Sequence, residues 1–365
     1  ELNATVTIVN AKDDGDESFI IVPGIAEKEI TQDNPIGFSR WMPNMDYVIE
    51  SQNRLWGCRY GDAYLGYRYD TKTKSMQPFY GNYVNEIYCS ALGDFKNWSC
   101  YMGISTDSYA ASVGTDGQFT GAITYLGYPI FFKENCMHKV YGNYPANYQI
   151  QTTACRGVQK GCHKSLAIVN EILYYKSRSA ICAYDGSLPV EISSALGENV
   201  YEDAVAGTIG NKYYISMRDE NDKYHLFVYD TKKGMWHRED DTQATDFCTC
   251  RGHLYYYDYD DKCIKVIRGT GIIDKEIAGI TDPKAIEWSA LTGIIGTDSP
   301  DKKYISRMDV RMSLEVGARV AFYAEYDSSG EWEYLFTMTG TRLGSFAVPI
   351  KPKRCDHMRL KIIGV

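Results

Sequence analysis

The sequence has almost nothing that reads as helix. No segment repeats apolar residues at the 3.6-residue spacing of an amphipathic helix, which excludes a helical bundle. No stretch of about 18 apolar residues occurs, so no membrane-spanning helix is expected. No long basic run appears, and the net charge is −8. A sequence-specific nucleic-acid-binding surface is therefore not indicated, and the acidic balance favours solubility. The start, Glu1-Leu2-Asn3, lacks an initiator methionine and the basic and apolar regions of a signal peptide. It reads as a processed chain or a piece cut from a longer one. Walker loops, dinucleotide-binding glycine fingerprints, Gly-x-Ser-x-Gly elbows and His-Glu-x-x-His pairs are all missing, and the six histidines are scattered.

What is present points to strands. The 365 residues are 44% apolar, enough for a large core, with 31 tyrosines and 32 glycines. Tyrosine favours strands and glycine punctuates turns. Four aromatic segments share one layout: Tyr128-Pro-Ile-Phe-Phe132, Glu171-Ile-Leu-Tyr-Tyr175, Asn211-Lys-Tyr-Tyr-Ile215 and His253-Leu-Tyr-Tyr-Tyr257. They start 43, 40 and 42 positions apart. A period of about 40–45 residues suits a propeller blade of four strands. Strand-like runs flank each segment, among them Gly121–Leu126 before the first and Met137–Tyr141 after it. Asp185-Gly186, Asp219–Asp222 and Asp258–Asp261 mark turns.

A looser repeat starts near Met45, with strands at Tyr47–Glu50, Arg54–Cys58, Glu86–Leu92 and Ser108–Val113. A loop insertion, Tyr60–Asn85, falls between its second and third strands, and Tyr69-Asp-Thr-Lys72 in it echoes Tyr229-Asp-Thr-Lys232. The predicted fold class is thus all-β: a β-propeller of about five or six four-stranded blades over residues 45–291. Residues 1–44, with the runs Thr5–Val9 and Phe19–Val22, complete a further blade or belong to an upstream domain. From residue 292 to 365 the pattern is strict alternation, as in Met308/Val310/Met312/Leu314, and Asp327–Gly330 closes a hairpin. This predicts an antiparallel β-sandwich.

The candidate chemistry is sparse. Eleven cysteines make an odd number. Cys58, Cys89, Cys182 and Cys263 lie in strand-like runs and read as reduced, packed thiols of a cytosol-made protein. Cys248-x-Cys250 with His253 and Cys263 offers four zinc-type ligands, but the spacing fits no standard zinc pattern. Cys155, Cys162 and His163 form a second loose cluster. Asp13, Asp14, Asp16 and Glu17 lack the spacing of a calcium loop and read as a solvated turn, as do Asp258, Asp260 and Asp261. Trp236–Asp241 carries capable side chains, but no repeat places an acid at a recurring strand position. The boxes Ser-x-Asp-x-Gly-x-Thr-Trp are absent, and Thr115–Thr120 is only a faint echo of them. Tyr255, Tyr256 and Tyr257 put rings on both faces of one strand, suiting inter-blade packing or sugar stacking. The sequence therefore predicts no catalytic residue, no metal site and no cofactor.

Some segments resemble a known family. Arg54–Cys58 followed by Ile87–Trp98 looks like the first blade of bacteriophage tail and neck proteins. Tyr125–Asn135 with His138–Gly142 is similar to the next blade. Lys303–Arg307 and Lys353–His357 resemble the closing domain of the same proteins. The resemblance runs from about Met45 to the end. It implies a non-enzymatic virion component, nozzle-like or stabilisation-protein-like, assembled in the host cytoplasm. It would form a homo-oligomeric ring or channel wall with other phage tail or neck proteins as partners. The residues leave two alternatives: a carbohydrate-binding or receptor-facing propeller whose partner is a surface glycan, and a propeller-fold glycoside hydrolase with two carboxylates about 5–10 Å apart. No membrane partner is expected.

Overall fold

The computed structural model describes residues 10–13, 18–21, 42–197, 199–267, 287–297, 301–305, 307–314, 317–340, 344–348 and 353–365. The described residues are all-β, with only short 3-10 turns besides strands. Two compact units divide the chain, Glu1–Gly271 and Ile272–Val365.

The first unit begins with a strand pair, β1 (Asn10–Asp13) and β2 (Ser18–Ile21). Consecutive antiparallel sheets follow, each a meander in chain order. The first sheet holds β3 (Tyr47–Ser51), β4 (Arg54–Asp70), β5 (Ser75–Cys89) and β6 (Tyr109–Ser112). The second holds β7 (Gly121–Tyr125), β8 (Tyr128–Phe132), β9 (Cys136–Tyr141) and β10 (Gln149–Ala154). β11 (Ala167–Val169), β12 (Ile172–Lys176), β13 (Ile181–Tyr184) and β14 (Val190–Glu191) make the third. β15 (Glu202–Ile209), β16 (Lys212–Arg218), β17 (Tyr224–Asp230) and β18 (Met235–Asp240) make the fourth. The fifth has three strands, β19 (Ala244–Cys250), β20 (His253–Asp258) and β21 (Cys263–Ile267).

The four aromatic segments are thus the second strands β8, β12, β16 and β20. Local turn chemistry explains the hairpins that lead into them. Leu126-Gly127, Asn170-Glu171 and Arg251-Gly252 all hold φ between 48° and 80°, as does Gln52-Asn53 ahead of β4. Two successive left-handed residues match the twist of a two-residue hairpin. The cores lie between neighbouring sheets. Trp56, Cys58, Ile87 and Cys89 of the first sheet pack on Phe131 and Val140 of the second. Tyr125, Tyr175, Tyr213 and Ile215 join the second, third and fourth. Tyr214, Leu226 and Val228 meet Leu254 of the fifth. First strands contact the next sheet's first strand at β3–β7, β11–β15 and β15–β19. A 3-10 turn, His163–Ser165, sits among them: the His163 ring lies 5.3 Å from that of Tyr47 on β3. Its neighbour Lys164 pairs with Asp246 of β19 at 2.7 Å.

Two expectations are corrected here. The insertion Tyr60–Asn85 is not a loop, because β4 and β5 run on through it as one ladder from Trp56–Cys89 to Asp70–Ser75. Backbone pairing between β4 and β5 holds this arm. Its tip and the Tyr229–Lys232 segment are the same device: Asp70 accepts from the Lys72 amide at 2.8 Å, and Asp230 from the Lys232 amide at 3.0 Å. The second correction concerns Cys263, which is exposed although Cys58, Cys89 and Cys182 are buried. Cys263 lies on β21, the strand at the fifth sheet's edge, where nothing covers it among the described residues.

The second unit contains β22 (Trp288–Leu291), β23 (Lys303–Ile305), β24 (Met308–Met312), β25 (Arg319–Tyr326), β26 (Glu333–Thr339), β27 (Gly344–Val348), β28 (Lys353–Cys355) and β29 (Met358–Gly364). Its main sheet is ordered β22-β29-β25-β26, with the pairs β23–β28 and β24–β27 beside it. Val310 and Met312 of β24 pack on Val320, Phe322 and Met338 of the main sheet, so two layers share a core. Trp288–Leu291, inside the 45–291 span of the sequence reading, pairs with β29 of this unit. Asp327–Gly330 joins β25 to β26, with left-handed φ at Asp327, Ser328 and Gly330. The run Thr5–Val9 lies outside the described residues, while Phe19–Ile21 falls in β2.

Candidate functional site: a loop face and a projecting arm

The residue after each aromatic segment is polar and buried: Lys133, Lys176, Ser216 and Asp258, at 1, 3, 0 and 6% exposure. Lys133, Lys176 and Asp258 stand where a second strand ends and Ser216 two residues before the end of β16, and each bonds to a loop at that end of its sheet. Lys133 donates to Asn85 Oδ1 at 2.9 Å and the Thr115 carbonyl at 2.7 Å. Its ammonium lies 4.7 Å from the ring centres of both Tyr60 and Phe119. Lys176 donates to Gln159 Oε1 at 2.9 Å and the Ser177 carbonyl at 2.5 Å. Burial pushes both lysines below their ordinary pKa. Ser216 donates to the Thr242 carbonyl at 2.8 Å. Asp258 accepts from the amides of Asp260 and Asp261 and from Lys265. The sequence carried a signal for this position, since it directly follows a visible repeat, but its four different side chains hide it.

The loops so anchored line three adjoining clefts. One, of about 820 Å³, is bordered by Glu134, Arg156, Gln159, Arg178 and Glu202. A second, of about 250 Å³, shares Arg178, Ser179 and Val200 with it and reaches Lys176. A third, of about 280 Å³, is lined by Asn199, Tyr201, Asp219, Asn221, His225 and Arg238. His225 sits between two carboxylates there, Asp219 at 2.9 Å on Nε2 and Asp241 at 3.3 Å on Nδ1. The His225 hydrogen bond, with the Lys223 amide, holds the Asp219 carboxyl down to about 2. Arg218 gathers Glu202, Asp203 and Asp222 beside it. The Asp219–His225–Asp241 group was not foreseen, because strand pairing across the sheet brings its members together.

The candidates read from sequence disperse. Cys248, Cys250 and His253 share one face of β19 and β20, since Cys250 pairs with His253, whereas Cys263 pairs with Asp258 and points to the other face. Cys162 Sγ accepts from the Ala204 amide at 3.4 Å, the His163 ring lies against Tyr47, and Cys155 packs against the core shared by the second, third and fourth sheets. Among the described residues no three His, Cys, Asp or Glu side chains converge as a metal site. Asp14, Asp16 and Glu17 lie outside the described residues, and Asp13 ends β1. In Trp236–Asp241, Trp236 Nε1 donates to the Ile192 carbonyl, His237 pairs with Glu239 and Arg238 pairs with Asp241.

Comparison with known proteins gives little to set beside this geometry. No family model matches the chain. No curated protein matches it. Among solved structures it is similar to the extracellular domain of the one-component-system candidate BT4673 from B. thetaiotaomicron, at 11% identity and a TM-score of 0.33. That likeness covers 86% of this chain and 48% of the other, so the chain spans about half its length.

The second feature of the site is the arm. Past Cys58, β4 has lost β3 as a neighbour, and β5 meets β6 only at Glu86–Cys89. Both edges of the outer arm are therefore free of a third named strand. Tyr69, Met76 and Tyr83 stand more than half exposed on it, at 56, 57 and 59%. Exposed aromatic and methionine side chains are enriched at protein-contact surfaces.

Proposed function

We propose that this chain is a non-enzymatic structural component of a bacteriophage tail or head–tail neck. In this reading the consecutive sheets are radial blades of a β-propeller, and the second unit is a C-terminal β-sandwich. Copies assemble with one another and with neighbouring tail proteins into a ring or channel wall. The observation that carries the proposal is the arm β4–β5: a ladder with exposed Tyr69, Met76 and Tyr83 has its use in an assembly. The first-strand contacts and the His163–Ser165 turn that touches both β3 and β19 support the radial arrangement. The resemblance of Arg54–Cys58 and Ile87–Trp98 to phage tail and neck proteins supports the assignment. Mass spectrometry of purified tailed particles should find the protein, and its absence from them would sink the reading. Replacing residues 63–82 by a two-residue Asn-Gly turn should leave the thermal unfolding of the chain intact and abolish ring formation on native mass spectrometry.

The third cleft favours one other reading, a glycan-binding propeller. It combines an aromatic wall, Tyr201 and Phe227, with amide and charged groups from Asn199, Asn221, Asp219 and Arg238. On a glycan array this reading expects binding that is lost in Tyr201→Ala, whereas a purely structural ring binds nothing.

A further inference from the structure

Within the second unit, the turn Asp327–Gly330 meets the two residues that join β28 to β29, Asp356 and His357. Strand register brings them together: Tyr326 pairs with Met358, so the next positions, Asp327 and His357, are neighbours. The Asp327 amide donates to the His357 carbonyl at 3.0 Å. The Asp327 carboxylate accepts from the Asp356 amide at 2.6 Å and from the His357 amide at 3.4 Å. Clamped in this way, the turn holds Ser328 Oγ 2.7 Å from His357 Nε2. On the other side of the ring, His357 Nδ1 lies 3.1 Å from Asp356 Oδ2. Hydroxyl, imidazole and carboxylate thus stand in the order that activates a serine, an arrangement recognised by geometry and not by chain position.

The surroundings fit that role. An ionised carboxylate only accepts, so the imidazole proton sits on Nδ1 and Nε2 is left to accept from the hydroxyl. Asp356 Oδ1 has no hydrogen-bond partner among the described residues, so His357 is the one group that bonds to this carboxylate. Lys303 Nζ donates to the Asp356 carbonyl at 2.8 Å and fixes the backbone behind it. Ser328 is exposed and holds a left-handed φ of 51°, a conformation that is uncommon for serine and recurs at functional sites. Its own amide makes no hydrogen bond among the described residues and is available to an oxyanion.

We propose that Ser328 is an activated nucleophile that becomes acylated by small activated carboxylic esters, with His357 as its general base and Asp356 positioning the imidazole. Ser328 Oγ attacks the ester carbonyl carbon while its proton passes to His357 Nε2. The tetrahedral oxyanion collapses, the bond from the acyl carbon to the alkoxy oxygen breaks, and His357 returns the proton to the departing alcohol. The products are acyl-Ser328 and the alcohol, with no change of oxidation state. An ester on serine is itself unactivated, so its release to water is the slow step, and the site accumulates as a modified residue. The inference is independent of the assembly reading.

The test uses the full chain with its cysteines blocked by N-ethylmaleimide. Treated with p-nitrophenyl acetate, it should release a burst of about one p-nitrophenolate per chain. Peptide mass spectrometry should find the acetyl group forming on Ser328 about 100-fold faster than on its exposed neighbour Ser329. Ser328→Ala should abolish the burst with unchanged thermal unfolding, and His357→Gln should slow it about 100-fold. In Asp356→Asn the side-chain amide donates to Nδ1, so the proton moves to Nε2 and labelling is lost. Nitrogen-15 NMR of the His357 ring should report Nδ1 protonated in the wild type and Nε2 protonated in this variant, a change that a merely structural role would not produce. Acetylation of Ser328 no faster than of Ser329 overturns the proposal, and so does a burst undiminished in folded His357→Gln. Should His357→Gln unfold, the wild-type ring decides: an Nε2-protonated imidazole overturns the proposal.

Discussion

Lowering the pH from 6.5 to about 4 should remove about 3 kcal/mol of stability through His138 alone. Burial, with the Lys133 charge behind it, holds the His138 imidazole down to about 4 against an ordinary value of 6.5. The ring is fully enclosed and lies between two hydroxyls, Thr115 Oγ1 at 2.9 Å and Thr152 Oγ1 at 2.8 Å, which suit a neutral imidazole. Above pH 6.5 neither the folded nor the unfolded chain protonates this residue, so its contribution is complete. Between 6.5 and 4 the unfolded chain takes up a proton that the folded one refuses, and stability falls. Below 4 both are protonated and the loss levels off. Urea midpoints followed across this window should drop steeply for the wild type and more gently for His138→Gln. Parallel slopes would show that His138 is not held neutral.

Lys133→Met should cost about 3 kcal/mol. Methionine fills a similar volume but leaves Asn85 Oδ1 without its ammonium donor, a buried loss of about 1–3 kcal/mol. The contacts with the rings of Tyr60 and Phe119 add about 0.5–1 kcal/mol each. The Thr115 carbonyl is spared, because the Asn85 side-chain amide also reaches it at 2.6 Å. Since Tyr60 and Asn85 belong to β4 and β5, hydrogen exchange should rise at the base of the arm before the rest of the first unit. Removing the lysine charge also lets the His138 pKa rise, so the acid-induced loss should shrink in this variant. A Met variant with unchanged midpoint and unchanged pH slope would refute both parts of this account.

The aromatic second strands were legible because each is a run of strand-favouring residues with a tight turn before it. The alternating strands after Met308 were legible for the related reason that one face of each is buried. The arm was not: a long stretch rich in tyrosine and glycine reads as a loop until the pairing of β4 with β5 runs through it from end to end. Lys133 and Lys176 carry no mark in sequence, because their acceptors Asn85, Thr115 and Gln159 come from other segments. The Asp219–His225–Asp241 group was hidden by register, which no spacing along one strand reports. Trp288–Leu291 shows the same limit in another form: it falls inside the predicted propeller span, but its partner is about 70 residues away in β29.

From Asp62 to its turn the arm reaches about 25 Å beyond its sheet. Its outward side chains contribute little to the cores that hold the sheets together. Substitutions at Tyr69 or Met76 can therefore change which neighbour is engaged without spending fold stability. In evolutionary terms the chain keeps its vocabulary for partners on a separate page from its grammar of folding, and a new association can be written by editing one hairpin.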